Sequence, residues 1–317
     1  SGKSYMKIKE LQDGFKGSVR VLLTNVNRGV TNKGAPYLSF MLQDDSGVLD
    51  AKYWNVSEEA LHSFEAGQIV DVYGDVITHQ KQLQFRVNKA TLVEGEESMI
   101  LDYVPAGPYT QEELKEGIYG YIESFENSIL KAIVQAVMER HQQDFFVYPA
   151  AMRNHHDFVG GLATHVLGML QMGESVCRQY ENLHRDLLLA GILLHDVGKL
   201  VELSGAIVTE YTMQGKLLGH ISIMQAEIDQ IATEIGVAES EEAILLRHMV
   251  LSHHGVYEYG SPVLPMIPEA EVLYLLDNLD ARMHTMKKTL ANIAEGEFSQ
   301  RVFALENRML YKSKLGK

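Results

Sequence analysis

Leu187–Leu200 reads LLLAGILLHDVGKL. A hydrophobic run of helical length ends in His195-Asp196, and Val197, Gly198 and Lys199 follow. A core helix has little use for a histidine beside a carboxylate unless the pair binds something. Imidazole and carboxylate together make a mixed nitrogen and oxygen metal site. Adjacent side chains on a helix point about 100° apart, so both reach one ion only where the helix ends and opens. Gly198 is expected to supply that end as a C-cap glycine. Lys199 then places a cation where a phosphate would sit. The competing reading is a capped, salt-bridged helix end, and the rest of the chain weighs between the two.

On both sides of this stretch the pattern is helical. Residues 119–141 carry Ile122, Phe125, Ile129, Ile133, Ala136 and Val137 at helical spacing, which predicts one amphipathic helix. The segment FFVYPAAMRNHHDFVGG follows, with Arg153, Asn154, His155 and His156 before a Gly-Gly break. These donors suit phosphate or hydroxyl recognition, against the alternative of a solvated loop. Residues 162–180 form a helix whose inward stripe is Leu162, His165, Met169, Met172 and Val176, and Cys177 reads as a small core residue.

Residues 202–215 read as a small hairpin or lid. Residues 217–235 form a helix with the stripe Leu217, His220, Met224, Ile228, Ile231 and Ile235. Residues 241–252 form another, ending in His253-His254-Gly255, which repeats the arrangement of His195, Asp196 and Gly198. Residues 268–294 form a long helix with the apolar stripe Val272, Leu276, Leu279, Met283, Met286 and Leu290. Asp277 and Asp280 lie on its flank with Leu273 and His284, as ligand candidates or as partners of Arg282 or a lysine. Lys312, Lys314 and Lys317 read as a solvated tail.

The first 93 residues read as β. Alternating apolar residues mark strands at 17–26, 37–43 and 48–54, with a loop at 28–36 and a tight turn at Asp44-Asp45-Ser46-Gly47. Ser57 is a good N-cap for a short helix to Phe64. Residues 68–78 and 83–93 make a last hairpin. Three strands, a helix and two strands resemble the OB-fold, a five-stranded barrel whose strand 2–3 face binds oligonucleotides. Tyr37, Phe40, Tyr53, Trp54 and Phe85 are candidates to stack on bases, although alternation must turn about half of them inward. Arg28, Lys33, Lys52, Lys81 and Arg86 are candidates for phosphates. Residues 94–117 are acidic and hold Pro105, Gly107 and Pro108, so they read as a linker. Thr110 and Glu113 at its end form a capping box. The expected organisation is a β-barrel over 1–93, a linker over 94–117 and an all-α domain over 118–317.

Composition bounds the function. The chain has 317 residues and a net charge of −14, which argues against nonspecific coating of nucleic acid. The charge is unequally spread. The first 93 residues hold 11 Lys and Arg against 10 Asp and Glu, so the remainder carries −15. An acidic domain still binds phosphates if its carboxylates hold metal ions. One cysteine excludes an internal disulfide framework and fits a reducing cytoplasm. No apolar run spans a membrane and no secretory signal is evident, so a cytoplasmic protein without a membrane partner is expected.

The order His165, His195-Asp196, His220, His253-His254, Asp277 resembles the HD-domain superfamily of metal-dependent phosphohydrolases, and HDVGK matches its core signature. An OB-like domain ahead of it, NHHDFVGGLATH and LLDNLDARM extend the resemblance to the bacterial 3′-5′ exoribonuclease YhaM family over nearly the whole chain.

The resemblance implies that His165, His195, Asp196 and Asp277 hold one divalent ion. It implies a second on His220 and His253 or His254, with Asp196 bridging. Matching the last motif favours Asp277 over Asp280. Lys199 would offset charge on the phosphorane oxygens. Arg153, Asn154, His155 and His156 would grip the terminal nucleotide. The ligand set has no thiolate, which suits Mn2+, Fe2+, Co2+ or Mg2+ better than a structural zinc, and the resemblance suggests Mn2+. The implied activity is 3′-5′ degradation of single-stranded RNA, or single-stranded DNA, to nucleoside 5′-monophosphates. Two rivals stand beside it: a phosphohydrolase of free or cyclic nucleotides, and a non-catalytic single-strand-binding adaptor. A homo-oligomer is left open.

Overall fold

The computed structural model describes residues 5–95, 97–151, 157–256 and 259–316. Two compact units emerge. One contains residues 1–114, 143–163 and 202–213, and the other contains residues 115–142, 164–201 and 214–317.

The first unit holds a closed barrel of β1 (Lys16–Val30), β2 (Pro36–Asp44), β3 (Gly47–Trp54), β4 (Ile69–His79) and β5 (Gln82–Leu92). The strand order is β1-β2-β3-β5-β4, and β1 pairs with β4 to close it. Within the barrel only β3 and β5 run parallel, across the stretch of sequence that holds α1 (Glu58–Leu61) and β4. Ser57 caps α1 by accepting from the Ala60 amide, as its position predicts. Closure leaves no edge strand and puts every inward side chain into one core. That core contains Val19, Val21, Leu38, Phe40, Val72 and Phe85.

Two expectations for the barrel change. β1 runs on to Val30, so Arg28 and Gly29 lie in a strand rather than in the expected loop. The loop narrows because Thr31 and Ala35 close it with backbone and hydroxyl bonds. Phe40 and Phe85 face the core and cannot stack on a base, since alternation along β2 and β5 turns them inward. Elsewhere in this unit, residues 202–213 form the small hairpin expected there, pairing β6 (Leu203–Ser204) with β7 (Glu210–Tyr211); α6 (Lys199–Glu202) leads into it.

The second unit is helical: α2 (Gln111–Glu123), α3 (Ser128–His141), α4 (Gly161–Gln179), α5 (Arg185–Leu194), α7 (Met213–Glu234), α8 (Glu241–Ser252) and α9 (Pro268–Ala291), of which α2, α4 and α7 begin in the first unit. The Thr110–Glu113 capping box forms reciprocally, as expected. The single helix expected over 119–141 is two. Asn127 accepts from the Leu130 amide and starts α3 afresh, and buried Asp186 accepts from the amides of Glu126 and Asn127.

α5 is buried on every side from Asp186 to Leu194 and packs against α3, α8 and α9. A helix apolar all round belongs in the interior. Each of its leucines and its isoleucine contributes roughly 1.5–3 kcal/mol by leaving water. The consequence is positional: the residues just after α5 emerge in the middle of the unit.

Two helical stripes also change. Gly219 breaks α7 with φ 74° and ψ 157°. The turn before the kink is rotated away, so Leu217 is 74% exposed instead of lying in the core; Ile235, past the helix end, is exposed as well. In α9 the inward face is Ala270, Leu273 and Leu276, while Leu279 and Met283 are exposed. The flank that carries Asp277 is therefore the buried one. Cys177 is half-buried rather than core. The expected C-terminal tail folds back through bridges Phe298–Tyr311 and Val302–Arg308, and Lys312 Nζ donates to the Ile293 carbonyl.

Candidate metal centre

α5 ends at Leu194 and His195 is its C-cap. The next residue, Asp196, is almost fully buried. An isolated buried carboxylate is costly, so its partners define the site. The two oxygens of Asp196 divide them. Oδ2 lies 3.2 Å from His195 Nε2 and 3.9 Å from His165 Nε2. Oδ1 lies 3.6 Å from His220 Nε2 and 3.7 Å from His253 Nε2. One carboxylate thus stands between two groups of imidazoles.

The first group is His165, His195, Asp196 and Asp277, whose ligand atoms all lie within 4.8 Å of one another. Asp277 Oδ1 is 2.9 Å from His165 Nε2 and 3.6 Å from His195 Nε2. The second group is His220, His253 and His254, with the same closeness. The rings of His195 and His253 are 5.2 Å apart, and those of His220 and His254 are 5.5 Å apart.

His195 and His253 are built alike, as their neighbourhoods in the sequence suggest. Each is the C-cap of its helix. Each turns Nδ1 back to donate to the carbonyl three residues earlier, Ile192 at 2.6 Å and Val250 at 2.7 Å. That leaves Nε2 as the ring nitrogen available to a ligand and points it inward. Both Nε2 atoms are buried and make no hydrogen bond among the described residues. Buried polar atoms left without a partner are uncommon, and here they converge on the bridging carboxylate. The donor set therefore fits divalent cations: neutral imidazole and carboxylate, with no thiolate.

Gly198 does not end the helix in the expected way. It has no left-handed φ; it is needed because the His220 backbone passes beside it. Lys199 Nζ lies 3.3 Å from Asp196 Oδ2.

Electrostatics separate the two groups. Burial pulls the His165 imidazole toward neutrality, but the hydrogen bonds to Asp277 and Asp280 outweigh it and raise the pKa to about 9. His195 behaves alike: burial opposes, the charge and contact of Asp196 outweigh it, and its pKa rises to about 10. Burial, then the charge of His195, pushes His253 down to about 3. Burial, with His220 adding to it, lowers His254 as well. Burial would raise the two carboxylates; His195 and Lys199 hold Asp196, and His165 and His195 hold Asp277, far below the ordinary range. The first group carries protons where a cation would stand. The second offers neutral imidazoles.

Asp280 takes a position that the sequence left open. It faces the other ring nitrogen of His165, with Oδ2 2.5 Å from Nδ1. The signal for it was the spacing of three residues that puts it on the same helix face as Asp277.

Within the barrel, Trp54 is 45% exposed, and its ring lies 4.9 Å from that of Tyr37, its cross-strand partner. Trp54, Tyr53, Lys16, Ser57, Arg86 and Asn88 line a groove of about 660 Å³. Arg86 is held bidentate by Asp75. Lys52 donates to Ser39 Oγ at 2.6 Å. Arg28 donates to the Leu61 carbonyl at 2.7 Å, which ties β1 to the end of α1. Lys33 and Lys81 stand exposed at hairpin turns. Arg153, Asn154, His155 and His156 lie outside the described residues.

Comparison with known families agrees with both halves. Residues 162–282 match the HD domain, and residues 10–93 match the OB-fold nucleic acid binding domain. An HD domain indicates a metal-dependent phosphohydrolase, and its pairing with an OB-fold points to nucleic acid as the class of substrate. Among solved structures, the second OB-fold domain of replication protein A from Methanococcus maripaludis is 23% identical, covering 29% of this chain and 98% of that one with a TM-score of 0.25. PriB from Ralstonia solanacearum is 14% identical, covering 25% and 98% with a TM-score of 0.22. Among the described residues, no helix is long and apolar enough to cross a membrane.

Proposed function

We propose that this chain is a metal-dependent 3′-5′ exoribonuclease of cytoplasmic RNA turnover, releasing nucleoside 5′-monophosphates from single-stranded RNA, with single-stranded DNA as a second substrate. The observation that carries the reading is Asp196, whose two oxygens face two separate histidine groups, in a chain that also matches an OB-fold domain. A free nucleotide needs no strand-binding module, which favours a polymer over a mononucleotide. The 3′-to-5′ direction comes from the resemblance of the motifs to the YhaM family.

His165, His195, Asp196 and Asp277 would hold one divalent ion, and His220, His253 and His254 a second, with Asp196 shared. The ions, Mn2+ by preference, would supply an activated water and neutralise charge during in-line phosphoryl displacement. Lys199, already beside Asp196, places a cation against the oxygens of the reacting phosphate. Arg153, Asn154, His155 and His156 would hold the terminal nucleotide. Trp54 and Tyr37 give the barrel a stacking surface, and Lys16, Lys33, Lys52 and Lys81 give it cations for the backbone.

The test is a 5′-labelled single-stranded RNA incubated with Mn2+ and the wild-type chain or Asp196→Ala. A ladder that shortens from the 3′ end with wild type alone is the expected result. Intact RNA alongside hydrolysis of a mononucleotide would overturn the exonuclease reading in favour of a nucleotide phosphohydrolase. Binding without metal-dependent turnover of either substrate would make the chain an adaptor.

A further inference from the structure

A histidine that ligates a metal through one ring nitrogen needs its other nitrogen held, because that second bond sets the tautomer and the ring orientation. His195 and His253 meet this need with neutral backbone carbonyls, Ile192 and Val250. Both stand at helix ends, where the last carbonyls have no partner in the helix. His165 stands in the first turns of α4, where its own helix offers no such carbonyl. A side chain from another helix does the task. Asp280 Oδ2 lies 2.5 Å from His165 Nδ1.

Asp277 and Asp280 therefore grip opposite edges of one imidazole. Only Asp277 is on the side of the centre, because Nε2, the atom it meets, is also the atom nearest Asp196. Asp280 sits behind. A Cβ built on Gly168 of α4, three residues beyond His165, would meet Asp280 Oδ1 at 3.6 Å, an ordinary contact distance. Asp280 thus packs closely against the helix that carries His165.

We infer that Asp280 is a positioning residue for one ion of the pair: it locks His165 with Nε2 toward the centre and gives that ligand an anionic partner that His195 and His253 lack. The inference rests on reading the centre as a two-ion site. Its effect is local. Asp280 bonds to His165, a member of the first group, while His220, His253 and His254 form the other, so the second ion is expected to keep its affinity.

The experiment is a Mn2+ titration of the full chain, with free Mn2+ followed by electron paramagnetic resonance, on wild type, Asp280→Asn and Asp280→Ala. Melting curves in chelator accompany it. Asparagine keeps the shape and can accept from Nδ1–H but has no charge; it is expected to weaken one ion about 10-fold. Alanine loses the bond and is expected to weaken the same ion about 100-fold, the range that outer-shell partners command. The other ion stays at wild-type affinity, and the asparagine variant melts with wild type in chelator. Two ions bound with wild-type affinity in both variants would overturn the inference. Equal weakening of both ions, with a lower melting point in chelator, would also overturn it by showing a structural role. Wild type that binds no Mn2+ would overturn the metal reading beneath it. Loss of one ion in the variants, in a chain that leaves RNA intact, would support the inference and reject the nuclease instead.

Discussion

Gly198 lies against the backbone of His220 so closely that a Cβ on Gly198 would stand 2.2 Å from the His220 carbonyl oxygen. The contact is backbone to backbone, and no rotamer change can relieve it. It links the turn after Asp196 to the kink at Gly219 in the helix that supplies His220. Gly198→Ala is expected to push these segments apart, costing about 1–3 kcal/mol of stability as overpacking does. It should also reduce Mn2+ stoichiometry from two to one. Equilibrium unfolding and a Mn2+ titration check both; unchanged stoichiometry would show that the approach is incidental.

Asp196 serves both histidine groups, so it should be the least replaceable ligand. Asp196→Asn keeps its shape but removes the charge. Turnover is expected to fall by more than the about 10–100-fold that outer-shell substitutions cost, and both ions should weaken together. A loss confined to one ion would show that Asp196 does not bridge. Single-turnover kinetics with Mn2+ titration read the two effects separately.

The metal-free chain should show a stability maximum near pH 6.5. His165 and His195 have folded pKa values of about 9 and about 10, raised above the ordinary histidine value of 6.5. Their stabilisation is complete below pH 6.5 and fades as pH climbs through 9 to 10. His253 is shifted the other way, to about 3. It favours the folded state above pH 6.5 and loses that advantage as pH falls toward 3. Melting temperature in chelator against pH tests the two slopes. An ion bound there would replace the protons on His165 and His195, so its binding at neutral pH should release protons, measurable by calorimetry in buffers of different ionisation enthalpy.

Trp54 and Phe40 make opposite predictions although both are aromatic residues of adjacent strands. Trp54→Ala should weaken binding of single-stranded RNA about 5–150-fold, the range of one lost stacking contact, with little change in melting. Phe40→Ala should cost about 3–5 kcal/mol of barrel stability. Fluorescence anisotropy in chelator, where RNA survives, measures the first. Unaltered binding by the Trp54 variant would move the strand away from this face.

Much of the fold and the centre is legible in the chain. Strand alternation marks the five-stranded barrel and its helix, and Ser57 and Thr110 cap where their types and spacing require. The ligand candidates His165, His195, Asp196, His220, His253, His254 and Asp277 also stand out in the sequence, because they are polar residues on or beside apolar stripes. Two stripes depart from the sequence expectation for different reasons: a kink redirects α7, whereas in α9 packing buries another face of an unbroken helix. Gly219 turns Leu217 out to water, and α9 presents Leu273 and Asp277 inward instead of Leu279 and Met283.

The sequence by itself determined which groups could do chemistry, since donor type and local period are properties of the chain. Only the tertiary structure decided how those groups divide. Asp277 faces the centre and Asp280 the back of His165, although both sit on one face of one helix. The choice depends on where α4 lies against α9, a distance between segments more than a hundred residues apart, and no local pattern encodes it. The division of Asp196 between two histidine groups is of the same kind. It exists because α5, apolar on all sides, is driven to the middle of its unit and carries the carboxylate there with it.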